Sequence, residues 1–183
     1  MRRKEFMYDL ADEKIAKHPI YPRHNSKLLL YKNGEISSQH FYDLPHLLPK
    51  SCQLIVNNAK VIPARIFCKK PTGAGIEIFL LEPIGDYLST FANTNSVVWK
   101  VLVGNKKRWK EGSIADIGNL CSVNWVNRDE NIVSITWNSG DIFAEILEKM
   151  GKIPIPPYLN RESKEEDKTD YQTFYSKIKG SVA

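Results

Sequence analysis

The run GIEIFLLE at residues 75–82 is the clearest of six short segments of apolar and β-branched residues that follow one another along the chain. Clusters of Gly, Asn, Pro and charged residues separate these segments. Apolar runs bounded by turn residues are typical of β-strands, and six of them at this spacing favour a small barrel or a sandwich. The predicted strands cover residues 61–67, 75–82, 97–103, 113–117, 120–126 and 131–137.

Other elements are predicted on either side of these strands. Residues 27–32 and 35–41 form a hairpin around Asn33-Gly34, because a type I′ turn needs positive φ at both of its central positions. Residues 52–56, with the sequence CQLIV, predict a short buried strand.

A single amphipathic helix is predicted after the last strand. Apolar residues within 142–150 recur at helical spacing, so we expect one helical face to be buried. Asp141 is the expected N-cap residue, and Gly151 is the expected stop at the C-terminal end.

The composition is that of a globular protein with a mild positive charge. The chain has 26 Lys and Arg against 21 Asp and Glu, a net charge of +5, and the excess is concentrated in residues 1–62. Such an excess is compatible with a polyanionic partner. No apolar run approaches the ~18 residues of a membrane-spanning helix, so we expect no membrane partner. The widely spaced Cys52, Cys68 and Cys121 favour neither a metal site nor a disulfide framework and indicate a reducing cytoplasm.

The strand-rich stretch lies between two segments that look too short to be separate domains. We therefore predict a first part of one domain at residues 1–62, an inserted domain at 63–152 and a return to the first domain at 153–183. The chain ends in a small, apolar sequence, Gly180-Ser181-Val182-Ala183, without a charged or capping residue. We expect the first domain to be incomplete in this chain.

Several motifs resemble one enzyme family in order and approximate spacing over nearly all of the chain. The two most specific are Asn57-Asn58 followed by Pro63-Ala64-Arg65, and Pro154-Ile155-Pro156-Pro157-Tyr158 followed by Tyr171-Gln172-Thr173. Asp9-Leu10, Ser26-Lys27-Leu28-Leu29, Gly75-Ile76-Glu77-Ile78 and Gly180-Ser181-Val182-Ala183 also match. On these residues the chain is similar to the S-adenosylmethionine:tRNA ribosyltransferase-isomerases of queuosine biosynthesis.

The resemblance implies both a fold and a reaction. We predict an α+β or α/β domain, incomplete here, with an inserted six-stranded antiparallel β-barrel. The family transfers the ribosyl group of S-adenosylmethionine to 7-aminomethyl-7-deazaguanine at the tRNA wobble position and isomerises it to give epoxyqueuosine, with release of adenine and methionine. The implied partners are tRNA and S-adenosylmethionine, the latter as a consumed substrate, with no bound cofactor and no metal. A cytoplasmic enzyme that is monomeric at full length is expected.

Two features depart from the family pattern. Cys68 stands where the family commonly has glycine, which would strain a backbone with positive φ but not a plain strand. The family sequence also continues into a long C-terminal part. We therefore expect the chain alone to be inactive as an enzyme, and the alternative function is a truncated protein that retains only RNA binding.

Two charged residues are the candidate catalytic groups. The implied reaction needs a base for a ribose C5′ proton that the neighbouring sulfonium acidifies. Glu77 stands in an apolar strand, where burial would raise its pKa towards that of a general base; alternatively, it faces outward from an alternating strand. Arg65 offers a planar fork for a phosphate or a carboxylate. Alternatively, Arg65 forms a structural ion pair, for which Glu77 is itself a candidate partner.

Candidate substrate-binding residues lie in the two specific motifs. Asn57 and Asn58 follow a predicted strand, where polar side chains can bind a ligand, although turn formation explains them equally well. Lys60 either contacts a substrate or RNA or is solvated. The proline-rich loop that carries Tyr158 serves either packing or substrate binding. The full set of substrate-binding candidates is Asn57, Asn58, Lys60, Tyr158, Arg161, Tyr171 and Gln172.

Candidate RNA-binding residues are basic. The sequence KKRWK at 106–110 is the densest basic cluster and occupies a loop between two predicted barrel strands, and Trp109 could stack on a base there. Basic turns also occur without any RNA ligand. Arg23 and Lys27 lie near the start of the predicted hairpin, and their position on a surface hairpin is the alternative explanation for their charge. The RNA-binding candidates are Arg23, Lys27, Lys106, Lys107, Arg108 and Lys110.

Overall fold

The computed structural model describes residues 2–181 of the chain, so Val182 and Ala183 of the C-terminal motif lie outside the described residues. The helices are α1 Leu44–Leu47, α2 Tyr87–Ala92, α3 Phe143–Met150 and α4 Asp167–Asp170. The strands are β1 Lys27–Lys32, β2 Glu35–His40, β3 Ala59–Val61, β4 Arg65–Lys69, β5 Gly75–Pro83, β6 Ser96–Gly104, β7 Ile114–Asp116, β8 Ser122–Asn127, β9 Ile132–Thr136, β10 Gly151–Lys152 and β11 Ile178–Ser181.

Six of these strands close into an antiparallel barrel. The strand order is β4-β5-β6-β9-β8-β7, and β7 pairs again with β4, where Cys68 lies opposite Asp116. The neighbouring pairings around the barrel are all antiparallel. The predicted α+β fold with a six-stranded antiparallel barrel is therefore confirmed, and the barrel rather than the sandwich is correct.

The first predicted barrel strand, residues 61–67, is in fact two strands. β3 ends at Val61 and β4 begins at Arg65. Pro63 lies in the break, and proline has no amide hydrogen to donate to a strand ladder. The interruption separates β3, which pairs outside the barrel, from β4, which belongs to it.

The barrel interior is filled by large apolar side chains. In β5 the buried residues alternate with partly exposed ones, as expected for a strand with one face towards a core. Phe143 of α3 packs on this core, with its ring centroid 5.9 Å from that of Trp99 and 5.5 Å from that of Trp137. The largest fully buried side chains include Ile66, Ile76, Ile78, Leu80, Trp99, Val101, Trp109, Ile135, Phe143, Ile146 and Leu147.

The predicted helix at 142–150 is present, but its N-cap differs from the prediction. The N-cap is Ile142, whose backbone N–H donates to Glu145 Oε2 at 3.3 Å. Asp141 is not the cap because its carboxylate is engaged elsewhere: Lys149 Nζ lies 2.6 Å away and Ser139 Oγ donates at 2.8 Å. The hydrogen bond from Lys149 lowers the pKa of Asp141 below its ordinary value.

Gly151 follows α3 directly and is required by close packing. A Cβ atom on this residue would lie 2.0 Å from the backbone oxygen of Pro63 and 2.8 Å from that of Leu147. Its backbone φ of −87° is ordinary, so the constraint is space and not conformation. Gly151 and Lys152 then form β10, which pairs with Ile66 and Arg65 of β4.

The structure divides into two compact units. One contains residues 2–56 and 156–161, and the other contains residues 57–155 and 162–181. In the first unit, β1 and β2 form the predicted hairpin, with φ of 53° at Asn33 and 88° at Gly34. This division does not test the predicted domain boundaries at residues 62 and 152, which stay a prediction.

The predicted buried strand at residues 52–56 is wrong. This segment forms no strand, and the exposed fractions of Leu54 and Ile55 are 58% and 88%. A strand needs a neighbour for its backbone N–H and C=O groups, and no strand pairs with this segment within residues 2–181. The apolar residues at 52–56 suggested a strand, but they do not show whether a neighbouring strand is available.

The second unit also contains a small parallel sheet. β3 pairs with β11 in parallel, with Ala59 opposite Ile178. Among the described residues, no helix is long and apolar enough to cross a membrane. Cys68 lies in the regular strand β4 and has no positive φ, so the departure from glycine causes no backbone strain.

Candidate functional site

The two candidate catalytic residues form an ion pair on the outside of the barrel. Arg65 is the first residue of β4 and Glu77 lies on the adjacent strand β5. The Nε–H of Arg65 donates to Oε1 of Glu77. Their side chains are 31% and 34% exposed. The burial that the sequence predicted for Glu77 is therefore not observed, and the outward-facing, ion-paired alternative describes its position.

Two cations lie over the ring of Phe67, beside this pair. The Arg65 guanidinium carbon is 5.1 Å from the Phe67 ring centroid, and Lys152 Nζ is 5.2 Å from the same centroid. A cation over an aromatic face is attracted by the negative face of the ring. This arrangement brings two positive charges to one ring, and Glu77 pairs with one of them.

Gly104 packs closely beside Glu77. It lies opposite Glu77 in the β5–β6 ladder, and a Cβ on Gly104 would be 3.2 Å from Glu77 Cβ and 3.8 Å from Oε2. Oε2 is the carboxylate oxygen that does not take part in the ion pair. Glu77 also lines a cavity of about 220 Å³, together with Phe67, Cys68, Lys69, Gly75, Ile76, Asn105 and Ile117.

The size of this cavity limits what it can enclose. Sites that enclose a drug-sized ligand typically measure about 300–1,000 Å³. At about 220 Å³ the cavity is smaller than such sites, so by itself it does not enclose a drug-sized ligand. The Arg65–Glu77 pair thus supplies an accessible carboxylate and a fixed guanidinium at the edge of an open depression.

The asparagine pair forms a turn. Asn57 Oδ1 accepts a hydrogen bond from the backbone N–H of Ala59 at 2.9 Å, and the backbone oxygen of Asn58 accepts from Lys177 at 2.7 Å. These bonds lead the chain into β3. The turn-forming alternative is therefore observed for Asn57, while the substrate-binding role of both residues stays a prediction.

Gln172 is engaged with the backbone of β3. Its Oε1 accepts from the N–H of Val61 at 2.9 Å, and its Nε2 donates to the Val61 oxygen at 2.8 Å. Tyr171 and Lys60 are partly buried in the same unit. The later sequence motif and the asparagine motif therefore meet at β3, through Gln172 and Val61.

The remaining substrate-binding candidates belong to the other unit. Tyr158 is 61% exposed in a 3-10 turn at Pro157–Leu159. Arg161 Nε donates to the backbone oxygen of Lys17 at 3.1 Å, which attaches the segment 156–161 to the N-terminal region. The substrate-binding roles of Tyr158 and Arg161 stay predictions.

The basic candidates also divide between the units. Arg23 begins a 3-10 turn before β1, where Ser26 Oγ donates to the Arg23 oxygen at 2.6 Å, and Lys27 is the first residue of β1. The cluster at residues 106–110 lies in the second unit, in a 3-10 turn after β6. Lys107, Arg108 and Lys110 are exposed there.

The prediction that Trp109 stacks on an RNA base is wrong. Its side chain is 0% exposed, and its indole stacks on Trp125 with a centroid distance of 4.2 Å. The burial of an aromatic residue within a basic loop reflects the barrel core beneath the loop. Sequence reasoning also missed Lys70 and Arg128, whose side chains reach this loop from two other connections.

The buried thiols of the barrel are not nucleophiles. Burial, together with the neighbouring Asp116 carboxylate, raises the pKa of Cys68 to about 12. Burial likewise raises the pKa of the Cys121 thiol. Since the thiolate is the reactive form, both residues are inert at neutral pH. Within residues 2–181, no group of three or more His, Cys, Asp or Glu side chains could hold a metal ion.

Comparison with known proteins identifies the family. The model of the queuosine biosynthesis protein family matches residues 3–183. The chain belongs to this family. A queuosine biosynthesis relative from Sulfurihydrogenibium sp., named S-adenosylmethionine:tRNA ribosyltransferase-isomerase, is 37% identical over 100% of this chain and 52% of its own length. A relative of the same name from Aquifex aeolicus is 36% identical over the same shares of the two chains.

This member of the queuosine biosynthesis family spans about half the length of the curated relatives that it matches. A solved structure of S-adenosylmethionine tRNA ribosyltransferase from Thermotoga maritima is also similar. It has 27% sequence identity and a TM-score of 0.34, and the match covers 80% of this chain and 48% of that one.

Proposed function

We propose that this chain contributes the barrel and its catalytic pair to an S-adenosylmethionine:tRNA ribosyltransferase-isomerase. The observation that carries the proposal is the 36–37% identity to relatives of that name along the whole of this chain. The substrates are S-adenosylmethionine and a tRNA that carries 7-aminomethyl-7-deazaguanine at its wobble position. S-adenosylmethionine is consumed, so the reaction uses no resident cofactor. The enzyme works in the cytoplasm, where its tRNA substrate is, and as a monomer.

In the proposed mechanism, Glu77 is the base. Its unpaired oxygen Oε2 takes a proton from the ribose C5′ carbon, which the adjacent sulfonium acidifies, and the electron pair stays on that carbon. Arg65 holds Oε1 through its Nε–H and so fixes the carboxylate while leaving Oε2 outside the ion pair. A positioned base typically accelerates such a step by 10²–10⁴-fold.

The test uses Glu77→Gln, with Glu82→Gln as its matched control. Both residues lie on β5, and Glu82 forms an exposed ion pair with Lys100 at 3.3 Å, away from Arg65. Release of adenine from S-adenosylmethionine is measured in the presence of the tRNA. We expect Glu77→Gln to lower the rate by roughly 10²–10⁴-fold without weakening tRNA binding, and Glu82→Gln to leave the rate unchanged.

Assays of two forms of the protein distinguish catalysis from RNA binding without catalysis. The 183-residue chain is assayed alone and as a fusion to the remaining half of the Aquifex aeolicus relative, with that intact relative as the positive control. Turnover by either form supports the enzyme. An RNA-binding chain without catalysis is the alternative, and it is supported if both forms bind tRNA but neither releases adenine. Equal rates for Glu77→Gln and the unmodified protein would remove Glu77 from the mechanism.

A further inference from the structure

The turn after β6 presents positive charge on a rigid backbone. We define the basic turn as residues 106–110. It begins directly after Asn105, whose φ of 59° reverses the chain direction, and it continues as a 3-10 turn at Lys106–Arg108. Asparagine tolerates this left-handed conformation better than most residues.

Trp109 anchors the basic turn in the barrel. Its fully buried indole stacks on Trp125, and its Nε1–H donates to the backbone oxygen of Gly112 at 2.8 Å. Trp125 in turn donates its own Nε1–H to the Trp109 oxygen at 3.2 Å. These contacts leave no exposed aromatic side chain within the basic turn itself.

Two cations from other connections fix the backbone of the basic turn. Lys70, which follows β4, donates from Nζ to the Arg108 oxygen at 3.0 Å. Arg128, which follows β8, donates to the oxygens of Trp109 at 3.4 Å and of Lys106 at 3.5 Å. Because three backbone oxygens of the turn point towards Lys70 and Arg128, both of these cations are occupied by the turn.

Lys106 is also occupied within the protein. Its Nζ donates to Asn131 Oδ1 at 2.6 Å and lies 5.7 Å from the Trp125 ring centroid. The three remaining cations of the turn differ from Lys106 in their exposure. Lys107, Arg108 and Lys110 are exposed, and none of the ion pairs found among residues 2–181 includes them.

We propose that Lys107, Arg108 and Lys110 bind the phosphate backbone of RNA without reading its sequence. The inference rests on the proposed function, which supplies tRNA as the partner, and it identifies the part of the surface that receives it. Three exposed cations on one turn, without carboxylate partners, repel one another, and a polyanion relieves that repulsion. Arg and Lys contacts to phosphates position a nucleic acid but carry no sequence information.

The shape of the turn favours RNA over a membrane surface. Stable membrane association needs an apolar anchor beside the basic residues, or a longer cluster of about four to eight of them. The only large apolar side chain of the basic turn is Trp109, which is buried. A cleft of about 420 Å³ adjoins the turn through Lys70, and its lining also includes Lys69, Ser113 and Asp116.

The test compares two triple variants of the full 183-residue chain. The first, Lys107→Gln with Arg108→Gln and Lys110→Gln, removes the three exposed cations. The control, Lys100→Gln with Lys149→Gln and Lys168→Gln, removes the same charge from residues that already pair with Glu82, Asp141 and Glu165. Binding to an unmodified tRNA transcript is measured at several salt concentrations, and vesicles that contain phosphatidylserine serve as a second probe.

We expect the first variant to bind tRNA more weakly and to reduce the slope of log affinity against log salt by about two to three. The control keeps the slope of the unmodified chain. Arg128→Gln lowers affinity but keeps the slope, because Arg128 holds the turn and does not contact phosphate. Transcripts of unrelated sequence give the same result.

Four results would overturn the inference: no tRNA binding by the unmodified chain, an unchanged salt slope in the first variant, equal losses in both triple variants, or vesicle binding as tight as tRNA binding and dependent on the same three residues. If the first variant still binds tRNA with the original slope, the inference fails while the proposed function stands. Conversely, loss of turnover in Glu77→Gln with unchanged tRNA binding tests the proposed function alone.

Discussion

The side-chain amide of Gln172 pairs with the backbone of Val61 as a neighbouring strand would. It accepts from the Val61 N–H at 2.9 Å and donates to the Val61 oxygen at 2.8 Å, across 111 residues of sequence. Val61 is the last residue of β3, just before the break that leads into the barrel. One side chain therefore supplies both hydrogen bonds that the strand's end requires.

Gln172→Leu should destabilise the chain by about 1–3 kcal/mol, because it leaves the polar groups of a partly buried backbone unpaired. The exposed Gln53, changed to Leu, is the control and should have little effect. Urea unfolding measures both. If Gln172→Leu keeps full stability but loses substrate binding, the role predicted from the sequence motif is correct instead.

Gly151→Ala should be among the most damaging small substitutions. The added Cβ would lie 2.0 Å from the Pro63 oxygen, so the backbone of α3 or of the Pro63 segment must move, at a cost of about 3 kcal/mol. Gly75→Ala is the matched control, because nothing lies within 4 Å of a Cβ there. Thermal melting compares the two variants, and equal melting temperatures would show that the contact is relieved without cost.

Two tryptophans of the core differ in hydrogen bonding, and replacing each of them by phenylalanine measures the effect of that difference on stability. Trp137 donates its Nε1–H to the Asp141 oxygen at 2.8 Å, while the buried Nε1 of Trp99 has no partner among the described residues. Trp137→Phe should therefore cost about 1 kcal/mol more than Trp99→Phe, which removes an unsatisfied donor. Chemical denaturation gives the two free energies of unfolding. A larger loss for Trp99→Phe would indicate that ring packing with Phe143 outweighs the hydrogen bond.

The three cysteines should react with thiol reagents in two classes. With the pKa of Cys68 at about 12, only about one thiol in ten thousand is ionised at pH 8, and burial also blocks access. Cys121 is shielded in the same way, while Cys52 is exposed. One equivalent of a disulfide reagent should react in the native chain at pH 8, and three after denaturation. Fast reaction of Cys52→Ser would show that the barrel opens.

The barrel could be predicted because each of its strands has a local signature. The run that became β5 is apolar, and turn residues bound it, so neither its existence nor its type depends on distant contacts. Closure of the barrel depends on β7 meeting β4, a pairing that no local pattern contains. The barrel was therefore distinguished from a sandwich by the family resemblance.

Two of the errors share a cause, which is that burial and pairing depend on distant residues. Residues 52–56 are apolar but lack a partner strand in the described chain. Trp109 is surrounded by charge in the sequence but lies over the core. Helix α2 was missed although it had a local signature, since Asp86 Oδ2 accepts from the N–H of Ser89 at 2.8 Å and caps it.

The sequence identified Arg65 and Glu77 as candidates but not their geometry, and their catalytic role stays a prediction. Arg65 and Glu77 were singled out by type and by strand, and their pairing was one of the alternatives weighed. The position of Glu77 opposite Gly104 arises from the register of β5 against β6, which the sequence does not specify. Lys70 and Arg128 carried no pattern that could have linked them to the basic turn.

The parallel pairing of β3 with β11 has a consequence for the order of folding. Ala59 and Ile178 lie at the two ends of a segment that contains the whole barrel, so joining them in an open chain would cost a large loop-closure entropy. Once the barrel has closed through its short connections, its own compactness brings these ends together and removes most of that cost. The ladder therefore forms late, and its amide hydrogens exchange with solvent before those of the barrel do.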